Sequence, residues 1–197
     1  MKKIFISVFL LLFILPTLLG STQSSSTPIF QWKPVLPEGH NTDLLYSSYN
    51  KQKEIEESKK QLTCLARNIY FEARNEPFAG QFAVALVTLN RVHDSAFPNT
   101  LCGVVYESKL NSNGFPRLHR CQFSWYCDGI PDTIKNESAY EKTTKIAELA
   151  VNSYVTMKEG GLDYTEGARF YHTFEVNPKW STIFPKVGRI GDHIFYR

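Results

Sequence analysis

The 197-residue sequence predicts a mainly helical α+β domain, and three observations carry that expectation. Apolar residues recur at helical spacing in 62–73, 78–92 and 137–158. Near the C-terminus the pattern changes to the two-residue alternation of a strand at 168–173, and a glycine-punctuated stretch enters a last strand at the chain's end. With 43% apolar and 14% aromatic residues there is ample material for one packed core, so disorder is not the expectation.

The first 20 residues, "MKKIFISVFLLLFILPTLLG", have two lysines and an apolar run over 4–19 interrupted by Pro16, and small polar residues follow. This is the layout of a secretory signal peptide, with Gly20, Ser21 or Thr22 as its end. The alternative is a signal anchor, although the run is short beside the about 20 residues that span a bilayer. No cysteine follows it to carry a lipid. The formal charge of +3 includes Lys2 and Lys3, the only charges in this segment, so the remainder carries +1, which is no nucleic-acid footprint.

Residues 21–60 read as a linker or arm, first rich in Ser, Thr and Pro and then a solvated charge run, "NKQKEIEESKK". Phe30 and Trp32 are suited to pack on the domain or to touch cell-surface material, the plainer reading being a partly ordered tether. The folded domain is then expected over 61–197.

Within it, "QLTCLARNIYFEAR" places Leu62, Leu65, Ala66, Ile69 and Ala73 on one helical stripe. Glu72, three residues after Ile69 and seven after Leu65, falls on the flank of that stripe. A carboxyl group at the rim of a core is desolvated, which raises its pKa and suits a general acid. The plain alternative is a surface ion pair with Arg74 or Arg91. Asn75, Glu76 and Pro77 break this helix and start the next, with Pro77 in its first turn and Asn75 or Glu76 as its cap. From 78 to 92 the pattern is apolar on nearly every face, so this helix is central; Asn90 on its packed side must find hydrogen-bond partners, by fixing a nearby loop or the Glu72 region.

Four cysteines in a chain that reads as exported favour two disulfides. Of the three pairings possible, Cys121 with Cys127 is favoured by their short loop, leaving Cys64 with Cys102. A zinc site is disfavoured because His93, His119, His172 and His193 form no C-x-x-C or H-x-x-x-H pattern with them. The loop "HRCQFSWYCDG" sets Gln122, Ser124, Trp125 and Tyr126 between two cysteines, as a polar and aromatic wall for a sugar cleft.

The helix at 137–158 has Asn136 as its cap, Tyr140, Thr143, Ala147, Ala150, Val151 and Tyr154 as its buried face, and Gly160 and Gly161 as its stop. In the strand at 168–173, Arg169, Tyr171 and Thr173 share one side and Phe170 and His172 the other; a loop with Asn177, Pro178 and Trp180 follows.

Five ordered stretches, "NIYFEARNEPFAGQFAVALVTLNRV", "FPNTLCGVVYE", "CQFSWYCDG", "GARFYHTFEVNPKW" and "GRIGDHIFYR", resemble the successive motifs of the cell wall hydrolase family related to the spore-cortex-lytic enzyme SleB. The resemblance covers 61–197. Its four cysteines are similar to those of members from non-sporulating bacteria or their phages, so the spore cortex need not be the target. What the resemblance implies is a lysozyme-like, two-lobed lytic transglycosylase domain: a mostly helical lobe with a small antiparallel sheet around a glycan cleft. The family's catalytic glutamate is the first of the E-A-R-x-E motif, here Glu72. The second, Glu76, is expected to support or cap, or to raise the pKa of Glu72 by repulsion.

The implied reaction is cleavage of the β-1,4 bond between N-acetylmuramic acid and N-acetylglucosamine, one carboxyl serving as acid and then base to close a 1,6-anhydro ring. A hydrolytic muramidase would need a second carboxylate about 5 to 9.5 Å away, for which Asp128, Glu166 and Glu175 are candidates. Expected substrate-binding or supporting residues are Gln122, Ser124, Tyr171, His172, Asn177, Trp180 and His193, with Tyr171 orienting Glu72 and Trp180 stacking on a sugar. The chemistry implies no cofactor and no metal. The partner is peptidoglycan glycan strands, with no nucleic acid and membrane contact only through an uncleaved N-terminal segment. The expected state is a monomer, exported to the periplasm or cell envelope. Two other classes remain distinguishable: a non-catalytic peptidoglycan-binding module, indifferent to Glu72, and a metal-dependent amidase or peptidase, sensitive to chelator.

Overall fold

The computed structural model describes residues 42–197; the expected signal segment and the Ser/Thr/Pro-rich part of the arm, up to residue 41, lie outside the described residues. Helix α1 (Thr42–Ala73) holds the expected stripe in its C-terminal half, where Leu65, Ala66, Ile69 and Ala73 are buried. Its N-terminal half runs back through part of the segment expected as a linker or arm. Residues 42–60 are the same helix continued rather than a linker, exposed at nearly every position. Pairs at helical spacing, such as Gln52 with Glu56 and Gln61 with Glu57, support it there.

Helix α2 (Phe78–Val92) is buried continuously from Gly80 to Arg91 and is the centre of the domain. Its start differs from expectation: Pro77 itself is the N-cap, its carbonyl accepting from Gly80 and Gln81 N–H, and neither Asn75 nor Glu76 caps. Helix α3 (Leu101–Val105) is capped by Thr100, and a disulfide joins its Cys102 to Cys64 of α1. An antiparallel hairpin of β1 (Ser108–Leu110) and β2 (Pro116–Cys121) follows, then a 3-10 turn (Ser124–Cys127) closed by the second disulfide, Cys121 with Cys127.

Helix α4 (Glu137–Glu159) starts at Asn136, whose side chain accepts from Ala139 N–H at 2.9 Å. Thr143, Ile146, Ala147, Ala150 and Tyr154 form its buried stripe. Val151, expected inside, is 39% exposed, because the steps of three and four along that stripe leave it on the flank while Ile146 fills the core. The chain ends in a three-stranded antiparallel sheet of β3 (Phe170–Thr173), β4 (Lys186–Ile190) and β5 (His193–Tyr196), with β5 in the middle.

Three apolar clusters meet on α2. The first packs Leu65 and Ile69 of α1 and Leu86 of α2 against Ile146 and Ala150 of α4. In the second, Cys64, Val104, Val105, Phe123 and Trp125 fill the space beneath α3 and the stapled loop. Ala83 and Val87 of α2 join Ala168 and Phe195 in the third, which seats the sheet. Tyr171 packs against the second and third clusters together, at the seam where the end of α1 meets β3.

Candidate active site

Glu72 occupies the last turn of α1, where the stripe on its inner side is buried and its own flank opens into a hollow of about 280 Å³. Phe71, Arg74, Glu76, Phe174, Glu175 and His193 are among its other walls. A larger trough runs along α1 and α4 beside Leu62 and Val151, and none of the residues expected in the site lines it.

The Tyr171 hydroxyl donates to Glu72 Oε2 at 2.9 Å. Burial raises the Glu72 carboxyl above the usual range; the Tyr171 hydrogen bond and the nearby Arg91 charge pull it partly back. Burial and the Glu72 charge push the Tyr171 phenol well up, so it remains a protonated donor. The surface ion pair with Arg74 or Arg91 does not form. Arg91 is 4% exposed, and its Nε donates to the Arg169 carbonyl at 2.7 Å. Its guanidinium lies over Phe123, 5.0 Å from the ring centre. Gln122, with its amide oxygen turned inward, accepts from both terminal nitrogens of Arg91 at 3.1 Å. Gln122 therefore braces the charge behind Glu72 and Tyr171 instead of lining the hollow.

Glu76 neither caps α2 nor drives the pKa of Glu72, whose upward shift comes from burial. Its Oε2 accepts the Asp192 backbone N–H at 3.0 Å, which ties the turn between β4 and β5 to the start of α2. That turn needs glycine at 191: φ is +60°, and a Cβ there would collide with Glu76 Oε2. His193 follows, buried, with its ring edge-on to Tyr171 at 5.0 Å. Burial pushes its imidazole below the usual range, so it is neutral at pH 7; its 3.9 Å approach to Glu76 is therefore not an ion pair.

The remaining expected residues lie elsewhere. His172 points away from Tyr171, as strand alternation requires, and its Nε2 meets the Tyr196 hydroxyl at 2.9 Å. Trp180 packs edge-on to Tyr196 and against Phe170 and Phe184 in that same cluster and does not line the hollow beside Glu72. Asn177 is exposed and accepts from Ser181. Ser124 is exposed at the start of its 3-10 turn, while Trp125 is core, stacked on Phe71 and donating to Asn68 at 3.1 Å. Asn90 holds the loop before β3 through the Ala168 carbonyl and Thr165, and accepts from Tyr154.

Arg91, weighed above only as a surface partner for Glu72, is instead a buried cation, as suits a lone arginine in a helix otherwise apolar on nearly all faces. Among the described residues no group of three or more His, Cys, Asp or Glu is arranged to hold a metal ion.

Comparison with known proteins identifies the family. Residues 75–196 match the family model described as Cell Wall Hydrolase. The chain belongs to that cell wall hydrolase family. Glu72 lies just ahead of the matched range, so the E-A-R-x-E stretch straddles its edge. The spore cortex-lytic enzyme of Bacillus cereus is 34% identical over 139 residues, 70% of this chain and 44% of that protein. That of Bacillus subtilis (strain 168) is 32% identical over 139 residues, 70% of this chain and 38% of that protein. The chain thus spans about two fifths of the length of these relatives. The crystal structure of the catalytic domain of Bacillus cereus SleB superposes with a TM-score of 0.50 at 28% identity, covering 85% of this chain and 99% of that one. The catalytic domain of the germination-specific lytic transglycosylase SleB from Bacillus anthracis gives 0.51 at 29% identity, covering 82% and 100%. The α+β, mainly helical architecture of this cell wall hydrolase chain is that of the SleB catalytic domain.

Proposed function

We propose that this protein cleaves peptidoglycan glycan strands at the bond between N-acetylmuramic acid and N-acetylglucosamine, as a lytic transglycosylase with Glu72 as its single acid and base. The observation that carries this reading is the Glu72 carboxyl, set in the wall of a hollow, raised in pKa by burial and held by the Tyr171 hydroxyl. Protonated Glu72 donates to the glycosidic oxygen as the bond to muramic C1 breaks. The resulting carboxylate takes the proton from the C6 hydroxyl, whose oxygen closes on C1. No water is consumed, and Glu72 ends protonated. Tyr171 stabilises the carboxylate between these steps and fixes which oxygen faces the sugar; the charge of Arg91 lies behind both.

A hydrolytic outcome is the second reading, favoured by one observation: of Asp128, Glu166 and Glu175, only Glu175 lines the same hollow as Glu72. Mass spectrometry of fragments released from purified peptidoglycan, with a Glu72→Gln control, separates the two. Anhydromuramic ends that vanish in the variant are expected. Reducing muramic ends would transfer the assignment to a muramidase, and no glycan cleavage by the oxidised, folded protein would end the proposal. We further infer export to the periplasm or cell envelope as a monomer, supported by the N-terminal segment, the two disulfides and the family's wall substrate.

A further inference from the structure

Behind the wall formed by Arg74, Asn75 and Glu76 lies a second hollow, of about 430 Å³, floored by Gln81 and closed by Asn136, Ser138 and Lys142 at the start of α4. The two hollows share those three wall residues and differ in charge. Glu72, Glu76, Glu175 and Asp192 line the first, with Arg74 as its only Lys or Arg. In the second, Arg74 and Lys142 face a single carboxylate, Glu76, whose Oε2 is already held by the Asp192 N–H. Among the described residues neither cation makes an ion pair. Arg74 lies over the Tyr70 ring, with one terminal nitrogen 3.4 Å from the Tyr70 carbonyl, which leaves its other donors to a ligand. Gln81 is 9% exposed; its Nε2 donates to the Glu76 carbonyl, while its Oε1 has no donor, so the inner wall is short of an N–H.

A glycan strand is neutral along its sugars and acquires negative charge where muramic acid carries its lactyl arm, whose carboxyl is either free or amide-linked to a peptide with further carboxylates. Such an arm is repelled by the acidic hollow and attracted over the wall toward Arg74 and Lys142. The cavity volume suits a short peptide. Resting on the glycan-cleavage reading, we propose that this second hollow is the subsite for the peptide substituent of muramic acid, Arg74 and Lys142 holding its carboxylates, so that the protein selects strands that keep their peptides.

The test compares two soluble strand preparations: one with peptides intact, the other stripped by an amidase and therefore ending in the free lactyl carboxylate. Affinity for each is measured by anisotropy with the full protein and with Lys142→Glu, an exposed helix position where the charge reversal does not threaten folding; Arg74→Ala serves as the second variant. The wild type is expected to prefer the peptide-bearing strand, and Lys142→Glu to lose about fivefold of that preference, with the preference shrinking as salt is added. Equal losses on both strands, an unchanged preference in both variants, or no preference in the wild type would each overturn the subsite. Cleavage assays on the same strands keep the two proposals apart, since a protein that binds with preference but cuts neither strand fails the glycosidase reading alone.

Discussion

Tyr171 and His172 are neighbours on β3, each a polar ring able to donate a hydrogen bond, and the sequence marks both as site residues. The Tyr171 side faces Glu72, Arg91 and His193. On the other side, His172, Trp180, Tyr196, Phe170 and Phe184 form a closed aromatic cluster that supports the sheet. The contrast separates two kinds of importance within one sequence block: the first face should govern rate and pH, the second should govern stability.

The largest break is Glu72→Gln, for which glycan cleavage is expected to fall by about a thousandfold, measured as released fragments. The same substitution should not cost stability at neutral pH. Burial raises the folded-state pKa of Glu72, so the folded chain binds its proton more tightly than the unfolded one. That contribution is favourable at low pH and declines as pH rises above the ordinary glutamate range. Thermal melts at pH 4 and pH 7 should therefore show the variant gaining on the wild type at the higher pH; an opposite trend would contradict the buried setting of Glu72.

Tyr171→Phe comes next, with kcat reduced about tenfold through loss of a hydrogen bond to a charged group. Because that bond lowers the pKa of Glu72, removing it should move the alkaline limb of the kcat/KM profile to higher pH. A shift to lower pH would mean that Tyr171 does not donate to the carboxylate. Gly191→Ala follows. The new Cβ collides with Glu76 at a left-handed backbone position, at a cost of about 1 to 3 kcal/mol, and the displaced turn should loosen His193 beneath Tyr171, a loss seen in melting temperature and kcat together.

The smallest effect on turnover belongs to the other face. Trp180→Ala should lower stability by about 2 kcal/mol, below the range for a fully buried tryptophan because the ring is half-buried. Activity per folded molecule should stay within about twofold, read from denaturant melts and rates on the same sample. A rate loss as large as that of Tyr171→Phe would return Trp180 to the substrate cleft.

The helices were legible because their apolar periods are long and regular, and Glu72 stood out as an acid on the flank of one. What the period could not reveal was which face of β3 meets α1. Alternation divides residues between two sides, but pairing with β5 and the seating of Phe195 on α2 decide which side is functional. The hairpin of β1 and β2 left no signal because it is exposed on both faces, so nothing required its residues to alternate. Helix α3, with five residues, is too short to show a period. The charged half of α1 read as a tether because it has few apolar positions; it is helical as an extension of an already nucleated helix.

That continuity gives α1 a mechanical meaning. Thr42, where the described chain begins, and Glu72 belong to the same helix, 30 residues apart, or about 45 Å along its axis. Whatever is fixed at Thr42 therefore lies at a set stand-off from the acid. The protein's working radius from that point is written in the number of helical turns. Removing whole turns from the solvated half would shorten its reach into a meshwork without altering the pocket at the other end.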